Sequence, residues 1–331
     1  MAPCFVSRER AKVDDWNSFI GPAAGVLTSV LWTFTSLFFT AAGKRIGPTV
    51  VNAARIGMAI LFLAFTHRFL TGTWIPSASA EQVLFLALSG VIGLSLGDQC
   101  LFTAFVCIGP RLTMLIYATS PIHAVLFGWI VLDERLAGFA WLGIFLVLCG
   151  VAWVVLERRI EDSRENRPHR IKGIVLAFIG AACQAGGLLL SKQGMGHGVL
   201  PAAAEHLDPQ TATLIRMFFA GLGVLPILLF HGWRQRQRMK SQIVRIKAFE
   251  GSRAAGWGFA VCGAVVGPYL GVWMSLVASD RVPLGVAQTL CSLTPVFILP
   301  MAAWIHKERI SPRAVAGAFL AVGGSALLFC I

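Results

Sequence analysis

The hydrophobic positions of this chain fall in long runs that are separated by short polar segments. A helix needs roughly 20 apolar residues to cross the hydrocarbon core of a bilayer, and most of these runs approach that length. The pattern therefore predicts a series of transmembrane helices. Ten spans are predicted, at residues 22–43, 49–70, 82–107, 112–132, 137–156, 171–192, 211–231, 255–279, 284–305 and 313–331.

The chain contains two copies of one unit. A shift of 174 residues places Pro121 on Pro295 and Glu134 on Glu308, each in a span–turn–span pattern. Each copy holds five spans, so the second copy must enter the membrane from the face opposite to the first. We therefore predict an all-α integral membrane protein, with ten transmembrane helices in two inverted five-helix repeats. Inverted repeats are typical of secondary transporters.

The spans divide the chain into four segments. The predicted order is an N-terminal segment at 1–21, a first five-helix repeat at 22–156, a charged linker at 157–170, and a second five-helix repeat at 171–331.

The composition agrees with a membrane protein. Hydrophobic residues make up 56% of the chain and charged residues only 13%, whereas soluble proteins are about 25% charged. The formal net charge is +12, but the basic residues concentrate in two loops between apolar spans, so nucleic acid is not an expected partner. The eight cysteines show no CxxC spacing, and no Walker, HExxH or GxSxG motif occurs. We therefore expect no enzymatic activity, no cofactor and no metal site, and an energy source that is ionic or the substrate's own gradient.

Two turns and one span carry a resemblance to a known family. Residues 132–136 (Leu-Asp-Glu-Arg-Leu) follow Ser-Pro at 120–121, and residues 306–310 follow Thr-Pro at 294–295. With the stretch Gly-Asp-Gln-Cys at 97–100, they resemble the EamA repeat of the drug/metabolite transporter superfamily. Position 133 is Asp where that repeat typically has Gly, and 306–307 are His-Lys rather than Leu-Gly.

The resemblance implies ten helices in two inverted halves, and export or uptake of small metabolites such as amino acids and their derivatives. It also places Arg55 and Arg216 where that family often has an arginine. The expected partners are a small-molecule substrate and the lipid bilayer, with a coupling proton and a second copy of the chain as further candidates.

Asp98 is the acidic residue that lies well inside a predicted span. An ionisable group at membrane depth is a functional hypothesis by default. Asp98 is therefore a candidate for proton coupling or for binding a substrate amine. The alternative is an ion pair with Arg111 or Arg55 that holds helices together.

Other polar and aromatic residues are weaker candidates for the substrate pathway. Tyr117 could bind substrate or support the backbone near Pro121. Tyr269 and Trp273 lie one helical turn apart and form an aromatic face that could line the pathway or meet the lipid interface. The full set of pathway candidates is Asp98, Tyr117, Gln184, Tyr269, Trp273 and Gln288.

The repeated proline and acidic positions suggest mechanical roles. Pro121 and Pro295 each remove one helical hydrogen bond at equivalent depth, so they are hinge candidates for alternating access, or else static bends. Glu134 and Glu308, each followed by arginine (Arg135 and Arg309), are interpreted as structural turns that cap the next helix.

The favoured function is a secondary transporter, an exporter of a small metabolite such as an amino acid or derivative across the cell inner membrane by alternating access. The alternatives are a membrane-embedded enzyme or lipid-handling protein, or a membrane scaffold without transport. The orientation is ambiguous. Most Lys and Arg residues outside the spans lie in the loops after odd-numbered spans, which puts both termini outside the cytoplasm. The family resemblance usually implies the reverse.

Overall fold

The computed structural model describes residues 3–46, 48–157, 167–198, 205–241, 252–294, 296–297, 301 and 312–328. All regular secondary structure within these ranges is helical. The prediction of an all-α membrane protein with ten helical spans in two repeats is confirmed.

The first half begins with two long apolar helices. A capping box starts the third, because Ser79 accepts a hydrogen bond from the amide of Gln82 while the Gln82 side chain accepts one from the amide of Ser79. The elements of this half are α1 (Pro3–Ile46), α2 (Pro48–Thr71), α3 (Ala80–Ser89), a first π-helical segment (Gly90–Gly97), α4 (Asp98–Tyr117), α5 (Ser120–Leu132) and α6 (Gly138–Glu157).

The second half follows the same plan. Its elements are α7 (Arg167–Gly194), α8 (Pro209–Ser241), α9 (Arg253–Ala264), a second π-helical segment (Val265–Gly271), α10 (Val272–Arg281), α11 (Leu284–Cys291) and α12 (Pro312–Leu328). The two π-helical segments end at positions 97 and 271, which the 174-residue shift relates. The two halves therefore share a π-helical segment at equivalent positions, in addition to their sequence pattern.

The chain reverses its direction within α4. A methyl group placed on Gly180 would lie 3.5 Å from the backbone nitrogen of Leu101. The Ser120 hydroxyl, just beyond the other end of α4, donates a hydrogen bond to the carbonyl of the adjacent Ala181, at 3.2 Å. A straight helix of this length would separate its ends by about 30 Å. The chain therefore doubles back between Leu101 and Ser120, so two antiparallel spans lie within residues 82–132, as the hydrophobic pattern predicts.

The halves pack together by a reciprocal rule. In the second half, α7 packs on α3, the first π-helical segment, α4 and α5, and in the first half α1 packs on α9, the second π-helical segment, α10 and α11. Helix α2 contacts α8, and α6 contacts α12. For each of these contacts between an element of one half and an element of the other half, the equivalents of the two elements also contact each other. A pseudo-two-fold relation between two repeats produces such matched contacts.

Helices α6 and α12 approach with their backbones almost in contact. A methyl group on Gly150 would lie 2.5 Å from the backbone of Gly317 and Ala321, and one on Gly324 would lie 2.7 Å from the nitrogen of Val147. Small residues allow this approach where lipid provides no hydrophobic drive for association.

The outer surface of the bundle is apolar. Five helical stretches of the described chain are long and apolar enough to cross a membrane, and they lie at Phe19–Phe39, Ala54–Thr71, Ala80–Leu101, Arg170–Gly194 and Arg253–Arg281. Three shorter apolar helices accompany them. Large apolar side chains such as Phe65, Ile130, Phe145 and Phe319 remain exposed, as expected for side chains in contact with lipid. The protein is a multi-pass membrane protein.

The loops that follow the even-numbered spans lie on one face of the bundle. The Gln82 side chain, at the start of α3, donates a hydrogen bond to the carbonyl of Glu205 in the α7–α8 loop, at 2.8 Å. Glu134, after α5, forms an ion pair with Lys192 at the end of α7. We call this surface the even-loop face. Loops that follow even-numbered spans must lie on the same face if the chain crosses the bilayer at every span, and these contacts agree with that.

Candidate substrate site

Asp98 lies at the point where the first π-helical segment gives way to α4. A π-helical turn widens the helix, and such turns are frequent at functional sites. The Asp98 carboxylate accepts a hydrogen bond of 2.6 Å from the guanidinium of Arg55 on α2, and both side chains are mostly buried. The structure therefore contains the ion pair that the sequence suggested as one interpretation of Asp98, with Arg55 as the partner.

A second arginine lies beside this pair. Arg216, on α8, is 1% exposed, and it lies within electrostatic range of the Asp98 carboxylate and the Tyr117 phenol. Its Nε and Nη2 atoms have no hydrogen-bond partner in the part of the chain that the structure describes. Gly93 makes room for it, because a methyl group there would lie 2.9 Å from Nη2. Arg216 is thus a buried cation with free donors.

The charges of this group do not balance. Arg55 and Arg216 contribute two positive charges, and Asp98 contributes one negative charge when it is ionised. A buried guanidinium whose Nε and Nη2 donors have no partner among the described residues favours an anion with two oxygen acceptors, such as a carboxylate. The group therefore provides a suitable environment for an anionic substrate group.

Tyr117 completes the group from the far end of α4. Its half-buried phenol lies within electrostatic range of Asp98 and Arg216, and also of Cys183 on α7 and Cys291 on α11. The 174-residue shift relates Tyr117 to Cys291. The phenol is therefore positioned at the interface between the repeats.

Gln184 lies next to this group, whereas Gln288 does not join it through any described contact. Gln184 is buried where α7 packs on Gly97, the residue before Asp98. Gln288 is buried on α11, and its Oε1 atom has no partner among the described residues. An unpaired buried amide oxygen is uncommon and is available to a ligand or water.

Tyr269 contacts α2, and Trp273 contacts Tyr269. The Tyr269 hydroxyl shares a hydrogen bond of 2.7 Å with Thr66, and its ring lies 5.8 Å from that of Phe62 and 6.1 Å from that of Trp273. The predicted aromatic face exists, and its contacts join the second π-helical segment to the first half.

The helices of both repeats break at equivalent positions. Helix α4 ends at Tyr117 and α5 starts at Ser120, while α11 ends at Cys291 and a turn follows at 292–293. Pro121 occupies the first turn of α5. From the sequence, Pro121 is expected to remove a hydrogen bond inside a helix, but the helix breaks before the proline, so no helical hydrogen bond is lost there. Proline has no N–H to donate, so the first turn of a helix suits it best.

The second break lies beside α1. The Thr33 hydroxyl donates a hydrogen bond to the carbonyl of Thr294, at 3.3 Å. Pro295 lies outside the described residues, as do Glu308 and Arg309. Broken helices at matching depth in the two halves form the substrate sites of many secondary transporters.

Glu134 connects the two halves on the even-loop face. Its carboxylate accepts hydrogen bonds of 2.6 Å from the Lys192 ammonium and 2.6 Å from the amide of Leu284, the first residue of α11. Lys192 also donates to the carbonyl of Val282, at 2.8 Å. The helix that Glu134 caps is therefore α11 of the other repeat and not the next helix, α6. The inverted packing of the halves brings the start of α11 beside the turn.

The backbone conformation of the turn after α5 explains which residue types suit positions 133 and 128. Asp133 has φ +50°, a left-handed conformation that favours glycine, which is the residue typical of the family at this position. A methyl group on Gly128 would lie 2.7 Å from the Glu134 carboxylate, so glycine leaves space for it. Arg135 and Asp133 are both more than 80% exposed, and their 3.6 Å ion pair contributes little stability.

Sequence reasoning missed the ion pair of Lys192 and the burial of Arg216. The partner of Lys192 was not predicted, although a lysine at the end of an apolar span is a visible signal for a partner acid. Arg216 was noted only through the resemblance, because its burial and free donors depend on the packing of Gly93 against α8.

The fold and the buried polar group together define an integral membrane transporter with inverted repeats. The chain belongs to the EamA-like transporter family, whose profile matches residues 19–156 and 171–330. Members of this family are transporters of small molecules and reside in the lipid bilayer.

Two relatives agree with this assignment. The chain is 24% identical over 231 residues to the Uncharacterized transporter sll0355 of Synechocystis sp., with 67% of this chain and 65% of the relative covered. It is 40% identical over 47 residues to the permease-like protein YdzE of Bacillus subtilis, which covers 14% of this chain and 60% of the relative. The alignments thus span less than two thirds of each relative. A crystal structure of a protein with 16% identity matches the fold with a TM-score of 0.69, covering 93% of this chain and 95% of that chain.

Proposed function

We propose that this protein is a secondary transporter that exports a small metabolite bearing a carboxylate, such as an amino acid or a derivative, across the cell inner membrane. The observation that carries the proposal is Arg216, a buried guanidinium beside Asp98 and Tyr117 whose Nε and Nη2 donors have no partner in the described part of the chain. A carboxylate can accept two parallel hydrogen bonds from a guanidinium, and it would neutralise the excess positive charge. The location between the repeats agrees with the usual position of transporter substrate sites.

In this proposal Asp98 couples transport to protons. The Asp98 carboxylate is held by Arg55, and a rearrangement of α2 against the first π-helical segment would separate the pair and free the carboxylate to exchange a proton. A substrate amine could alternatively take the place of Arg55. Both roles require the carboxylate and not merely a polar side chain.

The helix breaks supply the movement. Pro121 and Pro295 are the proposed hinges, and the four-helix contact of α5 and α11 with α7 and α1 would open on one face while it closes on the other. Such an exchange of the two halves around a fixed site is alternating access. We propose no enzymatic activity, and a second copy of the chain is a further proposed partner.

Flux measured in proteoliposomes tests the proposal. Purified protein would be reconstituted and loaded with a panel of radiolabelled amino acids and derivatives, with and without a pH gradient. We expect Asp98→Asn to lower flux at least roughly tenfold, equivalent to about 1.4 kcal/mol, while membrane abundance stays near wild type. Arg135→Gln is the matched control, because Arg135 is exposed on the even-loop face. Loss of abundance in Asp98→Asn would instead assign Asp98 a structural role.

A further inference from the structure

Two histidines and one aspartate converge on the even-loop face, outside the proposed substrate site. His197 and His206 lie in the loop between α7 and α8, and Asp280 lies near the end of α10. The Nε2 atoms of the histidines lie 2.8 and 2.7 Å from the same Oδ1 atom of Asp280. One ligand atom of each residue lies within 4.8 Å of the others.

The backbone holds the first histidine in place. His197 is flanked by Gly196 with φ +104° and Gly198 with φ +93°, both in the region that L side chains rarely adopt. The backbone on either side of His197 is thus folded tightly, and its imidazole is directed at α10.

The second histidine is held by the other arm of the loop. The amide of Leu207, next to His206, donates a hydrogen bond to the carbonyl of Met195, at 3.0 Å. The carbonyl of Glu205, on its other side, accepts a hydrogen bond from the Gln82 side chain. Both histidines are therefore positioned by contacts that do not involve Asp280, so the convergence is a property of the fold.

The donor set suits a particular class of ion. Imidazole nitrogen binds borderline transition metals such as zinc, and two histidines with one carboxylate provide three of the four ligands of a tetrahedral site. Bonds of about 2.0–2.2 Å to such an ion would place the ligand atoms roughly 3.4 Å apart. The two histidine nitrogens now lie at hydrogen-bond distance from Asp280 Oδ1, and all the ligand atoms lie within 4.8 Å of one another, so side-chain rotations that move these atoms by about 1 Å would admit the ion.

The surroundings leave one coordination position accessible. The Asp280 side chain is 9% exposed, while those of His197 and His206 are 34% and 54% exposed. A carboxylate this buried requires a compensating positive charge. A divalent ion supplies that charge, and water can reach the ion from the histidine side.

We propose that His197, His206 and Asp280 bind one divalent transition-metal ion, with zinc as the preferred ion and water in the open position. The ion would fasten the α7–α8 loop to the end of α10. Asp280 is two residues from Val282, which accepts a hydrogen bond from Lys192, so the ion would also support the Glu134–Lys192 contact between the halves. This inference is independent of the proposed substrate and of transport.

Zinc titration of the full-length protein tests the site. Detergent-purified protein would be stripped with a chelator, desalted, and titrated with Zn²⁺ by calorimetry, and Co²⁺ would report tetrahedral coordination through its visible absorption. We expect one Zn²⁺ per chain and a raised thermal unfolding midpoint. His206→Ala and Asp280→Asn should each weaken Zn²⁺ binding at least roughly tenfold, because changes even to residues outside the ligand set weaken metal affinity by 10–100-fold.

Glu205→Gln is the matched control. Its carboxylate is exposed and adjacent to His206, yet it lies outside the cluster, so this variant should bind Zn²⁺ like wild type. Wild-type protein that takes up no Zn²⁺, or takes up as much as the His206→Ala variant, would overturn the proposal. The three residues would then form a hydrogen-bonded ion pair only. The Co²⁺ spectrum of wild type keeps the test decisive if a variant fails to fold.

Discussion

Replacing Glu134 by alanine should strongly destabilise the protein. Glu134 is the partner of Lys192, and their side chains are 16% and 8% exposed. Without Glu134 the ammonium would remain buried with the Val282 carbonyl as its described acceptor, and the first amide of α11 would lose its cap. Removing one partner of a buried ion pair costs about 3–5 kcal/mol, and loss of a helix cap costs about 1 kcal/mol. Because the two contributions overlap, we expect a total of about 3–5 kcal/mol.

The measurement is the apparent free energy of unfolding of purified protein, titrated with a denaturing detergent and followed by loss of helix. Arg135→Gln is the control, since this side chain is exposed and should change stability by less than about 0.5 kcal/mol. A double variant, Glu134→Gln with Lys192→Met, removes both charges and should recover most of the lost stability. An effect of Glu134→Ala no larger than that of the control would refute the assignment of Glu134 as the contact between halves.

Four further predictions concern the turn, the packing, the hinge and the orientation. Asp133→Val should lose about 1–2 kcal/mol because φ is +50°, whereas Asp133→Gly should stay within about 0.5 kcal/mol of wild type; equal stability of the two would contradict the left-handed turn. Gly150→Ala should lose about 1–3 kcal/mol in the same titration, because the added methyl group would clash with the backbone of α12. The control is Gly57→Ala, which should be neutral or stabilising because its added methyl group would meet no described neighbouring atom within 4 Å. Pro121→Ala should slow proteoliposome flux while equilibrium binding of the substrate persists, and unchanged flux would remove the hinge. A fluorescent protein fused after Ile331, which folds only in the cytoplasm, should stay dark if the charge distribution sets the orientation, and bright fluorescence would support the family's usual orientation.

The hydrophobic pattern predicted the spans because the bilayer imposes a length on each of them. The reversal of the chain between Leu101 and Ser120 follows the predicted boundary between the third and fourth spans. The repeat was also visible, since Pro121 and Glu134 recur at one fixed offset. These features are local in sequence or periodic, so they can be read without three-dimensional contacts.

Contacts between the halves could not be predicted in this way. The cap that Glu134 provides lies 150 residues further along the chain, and His206 and Asp280 are 74 residues apart. Spacing along a helix says nothing about such pairs, because the inverted packing of the repeats creates them. The Ser120 hydroxyl at the helix break likewise finds its acceptor, Ala181, in the other half, so the proline alone did not reveal that the helix breaks before it.

The central claim is that Arg216 binds the carboxylate of the substrate. The most direct test is to measure how strongly the protein prefers a transported acid over its carboxamide analogue. Once the flux panel has identified a transported acid, its flux and that of its carboxamide analogue would be compared in wild type, Arg216→Lys and Arg216→Gln, at matched membrane abundance. A hydrogen bond to a charged group contributes about 1.5–3 kcal/mol, so we expect Arg216→Gln to lower acid flux by roughly 10- to 150-fold and to lose most of its preference for the acid. Arg216→Lys should retain part of that preference. Wild-type acid flux and unchanged preference in a normally inserted Arg216→Gln protein would contradict the account.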